Sequence, residues 1–356
     1  MPSVIDIIST GTRTPVGLNT AATAAAVRAG IIGLVEHPFM IDQVGNLMSA
    51  AVDLELDPKI MGSERLLGLV GPALREACAP LQVISGSFPQ LPVYLALPEF
   101  RPGFSKQDEE AVRVGLKSVE GLQTELQEIN IFTHGHAAGF MALKMATERL
   151  RQGECSACLV GGVDSYFHPD TMEWLDENRQ LQGAVSRSGF VPGEGAGFCL
   201  LMTEQARRNL HLKVLLSVCS VAIGKETKLI KTTDMCLGEG LNATVREAVS
   251  SLSLPDQRVN QILCDINGER YRSEEWGFVC LRSSEYFDNP TDYLSPAECW
   301  GDMGAASATL LAMLACHANE GGYAKGPHTM LWASSEQGYR GVATLECRQQ
   351  LAEKVR

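Results

Sequence analysis

Apolar and polar positions follow two different periods along this chain. Continuous apolar runs of strand length predict buried β-strands, at 4–8, 93–97, 129–133, 156–163, 198–202, 214–223, 259–266, 329–334 and 341–346. Apolar residues at steps of three and four, or runs rich in small residues, predict helices, at 20–28, 64–79, 106–126, 137–151, 241–252 and 303–318. Strands that alternate with helices in this way are typical of a layered α/β fold.

Two of the predicted helices have distinctive patterns. The first two turns of 137–151 are apolar nearly all round and its end is charged, which predicts a helix that begins in the interior and ends at the surface. The 303–318 segment is apolar all round, so we expect it to be buried throughout. The second half of the chain loosely repeats the order of the first. We therefore expect a doubled fold whose halves join near 203–213.

Composition narrows the class of protein. The chain has 356 residues, of which 45% are hydrophobic and 20% charged, a balance that excludes a disordered protein. At about 100–200 residues per domain, this length fits two domains or one doubled domain. Thirty Lys and Arg against 42 Asp and Glu give a net charge of −12. We therefore expect neither nucleic-acid binding nor attachment to an anionic membrane.

The eleven cysteines favour a reducing compartment, because they lie mostly in apolar runs and their odd number leaves at least one unpaired. Cys155 and Cys158 form a Cys-x-x-Cys pair, but no second pair follows at metal-ligand spacing, which favours a core role for both. The amino-terminal residues lack the basic start of a signal peptide, and no apolar stretch reaches about 20 residues. We expect a cytoplasmic protein without a cofactor.

Six short motifs occur in an order that points to one family. They are Gly11 with Thr14-Pro15-Val16-Gly17, Gly139 with Gly153, Val160-Gly161-Gly162-Val163, GFVPGEGAG at 189–197, Asp265-Ile266-Asn267-Gly268, and Trp300-Gly301-Asp302 with Gly304-Ala305-Ala306. With them the chain resembles the β-ketoacyl synthase branch of the thiolase superfamily. The resemblance implies an α/β, five-layered fold of two duplicated βαβαβαββ halves, here 1–205 and 206–356.

The same resemblance implies that the residues needed for condensation differ. At the family's nucleophilic cysteine this chain has His136, and at its two histidines it has Asn267 and Asp302. Ala297 replaces the lysine that precedes the second histidine, and the gating loop corresponds to 335–339, which includes Gly338. The pocket and its supports are expected at His134, Gly139, Glu194, Gly195 and Gly197.

Physical chemistry supports a loss of condensing activity. The positive end of a helix lowers a thiol pKa but disfavours an imidazolium, so His136 is expected to be neutral. An ionised Asp302 would repel the negative charge that develops on an enolate. Condensation by a Cys-His-His mechanism is therefore not expected.

Three functional hypotheses follow. The first is a catalytically degenerate synthase homologue that acts as a binding, scaffold or partner subunit. The second is an acyl-thioester hydrolase, decarboxylase or other acyltransferase-type enzyme, with His136 as base, Asp302 orienting it and Asn267 donating to an oxyanion. The third is a metal site of His134, His136 and Asp302. It is the weakest, because no further ligand pair supports it.

Partners follow from the resemblance. The family's members are usually homodimers or pairs with a homologue, and the predicted strand 129–133 matches their interface strand. An acyl carrier protein or a protein client is a further possible partner, although a chain of net charge −12 is a poor attractor for an acidic carrier. His168 is expected in a surface loop with a structural role. Arg270, Tyr271 and Arg272 are expected to face either the pocket mouth or solvent, with solvent as the default.

Overall fold

The computed structural model describes residues 4–82, 90–184, 186–229 and 235–348. The strands are β1 (Ile5–Arg13), β2 (Leu34–Ile41), β3 (Leu47–Ala51), β4 (Gln90–Ala96), β5 (Glu125–Phe132), β6 (Ala157–Ser165), β7 (Glu194–Thr203), β8 (Leu216–Lys225), β9 (Gln261–Cys264), β10 (Tyr293–Leu294), β11 (His328–Ser334) and β12 (Tyr339–Glu346). The helices are α1 (Thr20–Arg28), α2 (Gly62–Gln82), α3 (Lys106–Leu116), α4 (Ala138–Gln152), α5 (Pro169–Glu177), α6 (Glu204–Asn209), α7 (Glu239–Val249), α8 (Arg270–Ser283), α9 (Ala297–Trp300) and α10 (Ser307–Glu320). One-turn 3-10 helices precede α4 (Gly135–Ala137) and α10 (Gly304–Ala306).

The same strand order occurs twice in the large sheet. Its order is β10-β9-β11-β12-β8-β1-β7-β6-β4-β5. The strands of each half can be numbered 1 to 5 in chain order, as β1, β4, β5, β6, β7 and as β8, β9, β10, β11, β12. From each outer edge to the centre, both halves then have the order 3-2-4-5-1. The outer strands of each half run parallel, and the last strand of each half is antiparallel to its neighbours. A short antiparallel pairing of β1 with β8 joins the halves. The boundary at 205/206 stays a prediction, and the ends of the proposed halves at 1–3 and 349–356 lie outside the described residues.

The two halves of the sheet and three layers of helices together make five layers. Helices α4 and α10 lie in the centre, where they contact each other and strands of both halves. Helices α2 and α3 pack on the outer face of the first half. Helices α7 and α8 cover the outer face of the second half. Burial on two sides explains why the α10 segment is apolar all round, since none of its faces meets water along most of its length.

A glycine lets the two central helices approach closely. A Cβ atom on Gly139 of α4 would lie 2.6 Å from the Cβ of Ala308 on α10. Real Cβ atoms do not come so near, so the side-chain volume at position 139 sets the spacing of the two helices. The contact brings the amino-terminal ends of α4 and α10 side by side, and the candidate site forms there.

Several predicted elements differ from the structure. The helix predicted at 106–126 ends at Leu116, and β5 begins at Glu125 after a turn. The apolar pattern continued past Leu116 because Val119 and Leu122 pack against the same core as the helix. The β2–β3 hairpin and α8 were not predicted. Within the described ranges, no helix combines the length and apolarity needed to cross a bilayer.

Candidate functional site

Three residues predicted from the sequence meet at the end of the central layer. His136 lies in the 3-10 turn before α4, Asp302 lies just before the turn that starts α10, and Asn267 follows β9. The turns depend on glycines with positive φ, Gly135 at +60° and Gly301 at +74°. A Cβ on Gly301 would also lie 2.9 Å from a backbone oxygen, so both the conformation and the space require glycine there.

The Asp302 carboxylate accepts hydrogen bonds from four groups. Its Oδ1 lies 2.8 Å from His136 Nε2, 3.0 Å from the Tyr166 hydroxyl and 2.8 Å from the Gly304 backbone N–H. Its Oδ2 lies 2.9 Å from His136 Nε2 and 2.5 Å from Asn267 Nδ2. A carboxylate offers about four acceptor positions, so protein donors saturate Asp302.

His136 is buried and paired with Asp302, and both features act on its pKa. Burial disfavours the imidazolium, but the adjacent Asp302 carboxylate outweighs it and raises the pKa of His136 above its ordinary value. The pKa of Asp302 is held well below its usual range, because His136 and Arg272 outweigh the effect of burial. The prediction of a neutral imidazole considered only the helix dipole, whereas the contact with Asp302 shifts the pKa of His136 in the opposite direction.

Arg272 is the largest correction to the expected site. It was expected in solvent, yet its side chain is 1% exposed. It forms an ion pair with Asp265, lies 3.2 Å from Glu269 and donates to the Ser334 carbonyl at 2.6 Å. Its Nη2 is also 3.2 Å from His136 Nε2. This contact places the guanidinium against the imidazole, and Arg272 therefore acts to lower the pKa of His136.

Burial also acts on those carboxylates. It raises the pKa of Asp265 and of Glu269, while Arg272 works in the opposite direction on each. Asn267 donates from one amide nitrogen to Asp302 and, at 3.2 Å, to Glu269. Both of its N–H groups therefore point to protein carboxylates rather than to the oxyanion that the second hypothesis assigns to it.

A second charged cluster lines the same small cavity as His136. Arg101 donates to Asp164 at 2.6 Å, and its guanidinium lies 4.2 Å from the centre of the Tyr166 ring. Asp164 is a buried residue of β6 and accepts a hydrogen bond from the Ala305 backbone N–H at 2.8 Å. Sequence analysis missed Arg101 and Tyr166. The sequence signal that could have found them was the polar run Asp164-Ser165-Tyr166 directly after the predicted strand 156–163.

The space beside His136 is small. A cavity of about 50 Å³ is lined there by Glu99, Phe100, Arg101, Gly135, His136, Asp164, Tyr166, Trp174, Leu175 and Glu336. Glu99 Oε1 and Arg101 Nε are buried without a hydrogen-bond partner, and burial raises the pKa of Glu99. A volume of this size holds a few water molecules and not an acyl thioester.

A larger groove of about 910 Å³ lies outside this cavity. Its floor includes Glu269 and Tyr271, and its rim carries Phe278 and Leu281 of α8. The groove and the inner cavity have no lining residue in common. Gln180, which lines the groove, donates a hydrogen bond to Glu336, which lines the cavity, so this pair stands between the two spaces.

The other predicted residues lie around the site. His134 packs against the Tyr339 ring, with 4.8 Å between ring centres, and burial lowers its pKa. Its Nδ1 is buried without a partner. Ala297 begins α9 and lines a cavity of about 20 Å³ together with Asp265 and Asp302. Within the described ranges, no group of three or more His, Cys, Asp or Glu side chains is arranged to hold a metal ion.

Glu194 belongs to a separate buried ion pair. Its two oxygens accept from Arg65 at 2.6 Å each, and Ser165 adds a hydrogen bond at 2.7 Å. Gly195 and Gly197 lie on β7, where a Cβ would crowd Met303 and Thr309 respectively. Gly338 has φ +98°. His168 lies in the connection between β6 and α5, where its side chain caps the amino terminus of α5.

Comparison with known proteins gives the family context. Residues 133–207 match the family described as "Beta-ketoacyl synthase, N-terminal domain". The chain is 35% identical over 98 residues to pikromycin polyketide synthase component PikAII of Streptomyces venezuelae, covering 25% of this chain and 3% of that protein. It is 32% identical over 136 residues to polyketide synthase GfsA of Streptomyces halstedii, covering 36% and 2%. The chain thus spans a small fraction of these relatives.

Solved structures resemble it over almost its whole length. The ishigamide ketosynthase/chain length factor superimposes with a TM-score of 0.77 at 15% identity, covering 97% of this chain and 99% of that one. The AntDE:AntF complex, a type II polyketide synthase acyl-carrier protein with its ketosynthase, gives 0.76 at 14% identity, covering 98% and 100%.

Strand order, layering and these neighbours define a thiolase-fold α/β protein, as predicted from the sequence motifs. The match at 133–207 and the polyketide synthase relatives show that this part of the chain is similar to β-ketoacyl synthases.

Proposed function

We propose that this chain is a ketosynthase-like binding or partner subunit that does not catalyse condensation. The observation that carries the proposal is the saturated His136–Asp302 pair, which occupies the place where the family resemblance expects the reacting groups. A buried carboxylate with all its acceptor positions in use cannot stabilise a developing negative charge. Among the described residues that line the adjacent cavity there is no cysteine.

The enclosed volume supports the same proposal. About 50 Å³ beside His136 cannot admit an acyl chain with its thioester. The outer groove, in contrast, lies within the usual volume range of ligand sites, about 300–1,000 Å³. Binding in the groove without reaction at His136 is the behaviour we expect.

A panel of acyl thioesters tests this proposal. Purified wild-type protein and a His136→Ala variant are incubated with the panel, and condensation products and covalent acyl-protein are measured by mass spectrometry. We expect neither product from either protein. A condensation product, or an acyl group on the wild-type protein that His136→Ala abolishes, would contradict the proposal.

The direct contact between His136 and Asp302 favours a second candidate, an acyl-thioester hydrolase or decarboxylase. In this alternative the imidazole, oriented by Asp302, transfers a proton after the Gln180–Glu336 contact opens. Release of free thiol from the same panel measures hydrolysis, and evolved carbon dioxide measures decarboxylation. Equal background rates for wild type, His136→Ala and a His317→Ala control would exclude this activity for those substrates.

We infer that the partner is a second copy or a homologous subunit of the same fold. β5 is an outer strand of the sheet, and its apolar Ile131 and Phe132 are only half buried. An unpaired apolar edge strand favours pairing with another chain. One structural neighbour is a ketosynthase/chain length factor, and we infer a similar pairing here. An acyl carrier protein, as in the AntDE:AntF complex, is the alternative partner.

Sedimentation velocity tests the pairing. The wild-type chain alone is expected to sediment as a dimer, and Ile131→Lys is expected to shift it to monomer. Val114→Lys, an equally drastic change at an exposed position of α3, serves as the control. A wild-type monomer at high concentration would rule out the homodimer and leave the homologous-subunit pairing to be tested by co-expression.

A further inference from the structure

Two side chains that line the small cavity beside His136 each carry a buried polar atom without a hydrogen bond. These atoms are Nε of Arg101 and Oε1 of Glu99, which have no partner among the described residues. Arg101 Nε–H can only donate, and an ionised Glu99 oxygen can only accept. An unmet donor or acceptor in the interior costs free energy. A molecule that satisfies both atoms would therefore be stabilised in this cavity.

The unmet donor of Arg101 is held in a fixed orientation. The Arg101 side chain is 8% exposed. Its Nη2 donates to Asp164 at 2.6 Å and to the Ser165 carbonyl at 2.9 Å, and its guanidinium lies over the Tyr166 ring. Because a guanidinium is planar and its N–H directions are fixed relative to one another, these contacts also fix the direction of Nε–H. The donor is therefore preorganised for a ligand.

The unmet acceptor of Glu99 packs against the turn that carries His136. A Cβ atom on Gly135 would lie 3.1 Å from Glu99 Cγ and 3.2 Å from its Oε1. Both distances are shorter than ordinary van der Waals contacts, so the missing side chain at Gly135 leaves room for the carboxylate. The acceptor and the donor thus belong to side chains that enclose the same space of about 50 Å³.

The charges around the cavity favour an uncharged occupant. Arg101 is paired with Asp164, and Glu99 and Glu336 add acidic groups to the lining. An added anion would therefore meet these carboxylates, whereas a cation would lie against the guanidinium of Arg101. An apolar molecule would leave both unpartnered atoms unsatisfied. These arguments select an uncharged molecule that offers both an acceptor and a donor.

We propose that the inner cavity binds an uncharged primary amide group, whose carbonyl oxygen accepts from Arg101 Nε and whose NH2 group donates to Glu99 Oε1. An amide of one or two carbons replaces the few water molecules that this space can hold. Burial raises the pKa of Glu99, and an amide suits either form, because its carbonyl accepts from a protonated Glu99 and its NH2 group donates to an ionised one. The proposal rests on the proposed function, since it names the ligand of a cavity in which His136 forms no acyl intermediate.

Two probes of equal size and different charge test the site in the wild-type protein. Isotope-labelled protein is titrated with acetamide or with acetate, and the Nε–H signal of Arg101, identified by its loss in Arg101→Lys, is followed by NMR. We expect a saturable shift with acetamide and at least about tenfold weaker binding of acetate. Benzamide, which is too large for the cavity, is expected to leave the signal unchanged. Equal affinity for acetamide and acetate, or no saturable shift with acetamide, would overturn the proposal and leave water as the occupant.

Glu99→Met tests the acceptor. Methionine is of similar length but replaces the carboxylate by a weak acceptor, so we expect acetamide to bind at least about tenfold more weakly and acetate to gain relative to acetamide. Glu110→Gln, which changes an exposed carboxylate on α3, serves as the control and is expected to bind acetamide as the wild type does. Unchanged acetamide affinity in folded Glu99→Met would contradict the proposed contact.

Hexanamide distinguishes two sources of the amide group. Its chain reaches the outer groove only if the contact between Gln180 and Glu336 opens. Tighter binding of hexanamide than of acetamide would identify the amide as the end of a longer ligand, whereas exclusion of hexanamide would identify a free small amide. The panel of acyl thioesters separates this proposal from the proposed function. A condensation product would refute that function, whereas equal binding of acetamide and acetate would refute only the amide site.

Discussion

Nε2 of His136 lies 2.8 Å from Oδ1 of Asp302, although 166 residues separate them in the chain. The pair spans the two halves of the fold, since His136 precedes α4 and Asp302 precedes α10. The ionisation of the His136 imidazole is therefore coupled to the stability of the fold in which α4 and α10 pack together.

This coupling predicts a pH dependence of stability. A group whose folded-state pKa is raised contributes stability that is complete below its unfolded pKa, about 6.5 for His, and is lost as pH rises through the folded pKa. The free energy of unfolding of the wild type is expected to fall over that window relative to His136→Gln. Urea titrations from pH 5 to 9 measure it, with His317→Gln as control. Parallel curves for wild type and His136→Gln would contradict the ion pair.

Asp302→Asn should reverse the charge preference of His136. Without the carboxylate, burial and Arg272 both act to lower the pKa of the imidazole. We expect the pKa of His136 to drop below that of an exposed histidine, which an NMR titration of the imidazole resonances can follow. Tyr166→Phe, which removes one donor to Asp302 and leaves the ion pair, should keep the pKa raised. An unchanged pKa in Asp302→Asn would show that another group sets it.

The Arg65–Glu194 pair should be important for stability. Both side chains are at most 1% exposed, and Glu194→Gln would leave a buried guanidinium without its counter-charge. We expect a loss of about 3–5 kcal/mol in the free energy of unfolding. Glu110→Gln breaks the exposed pair with Arg113 and should cost about 0–1 kcal/mol. If urea unfolding gives similar losses for the two variants, the buried pair is not a main source of stability.

Two glycine-to-alanine changes should have opposite effects. Gly139→Ala places a methyl group against Ala308 and should destabilise the protein by about 1–3 kcal/mol. Gly277→Ala, on α8 where the new methyl meets nothing within 4 Å, should stabilise it by about 0.5–1 kcal/mol. Thermal unfolding of both variants distinguishes the two effects. Equal shifts would mean that the spacing of α4 and α10 is not limited at position 139.

Local patterns were enough to predict the layers and the central helices. The apolar runs predicted most strands of the large sheet, and the all-round apolar segment at 303–318 predicted the buried α10. These features depend on neighbours along the chain, whose periodicity the sequence records directly. The β2–β3 hairpin was missed because its burial alternates irregularly and several of its apolar residues are exposed.

The site was determined by the sequence only in part. The order of motifs was sufficient to nominate His136, Asn267 and Asp302, which the fold brings into contact. The pKa shift of His136, the burial of Arg272 and the contacts of Arg101 and Tyr166 were decided by the tertiary structure alone. These properties depend on groups far apart in the chain, whose Coulomb interactions and loss of water exist only after the two halves have packed together.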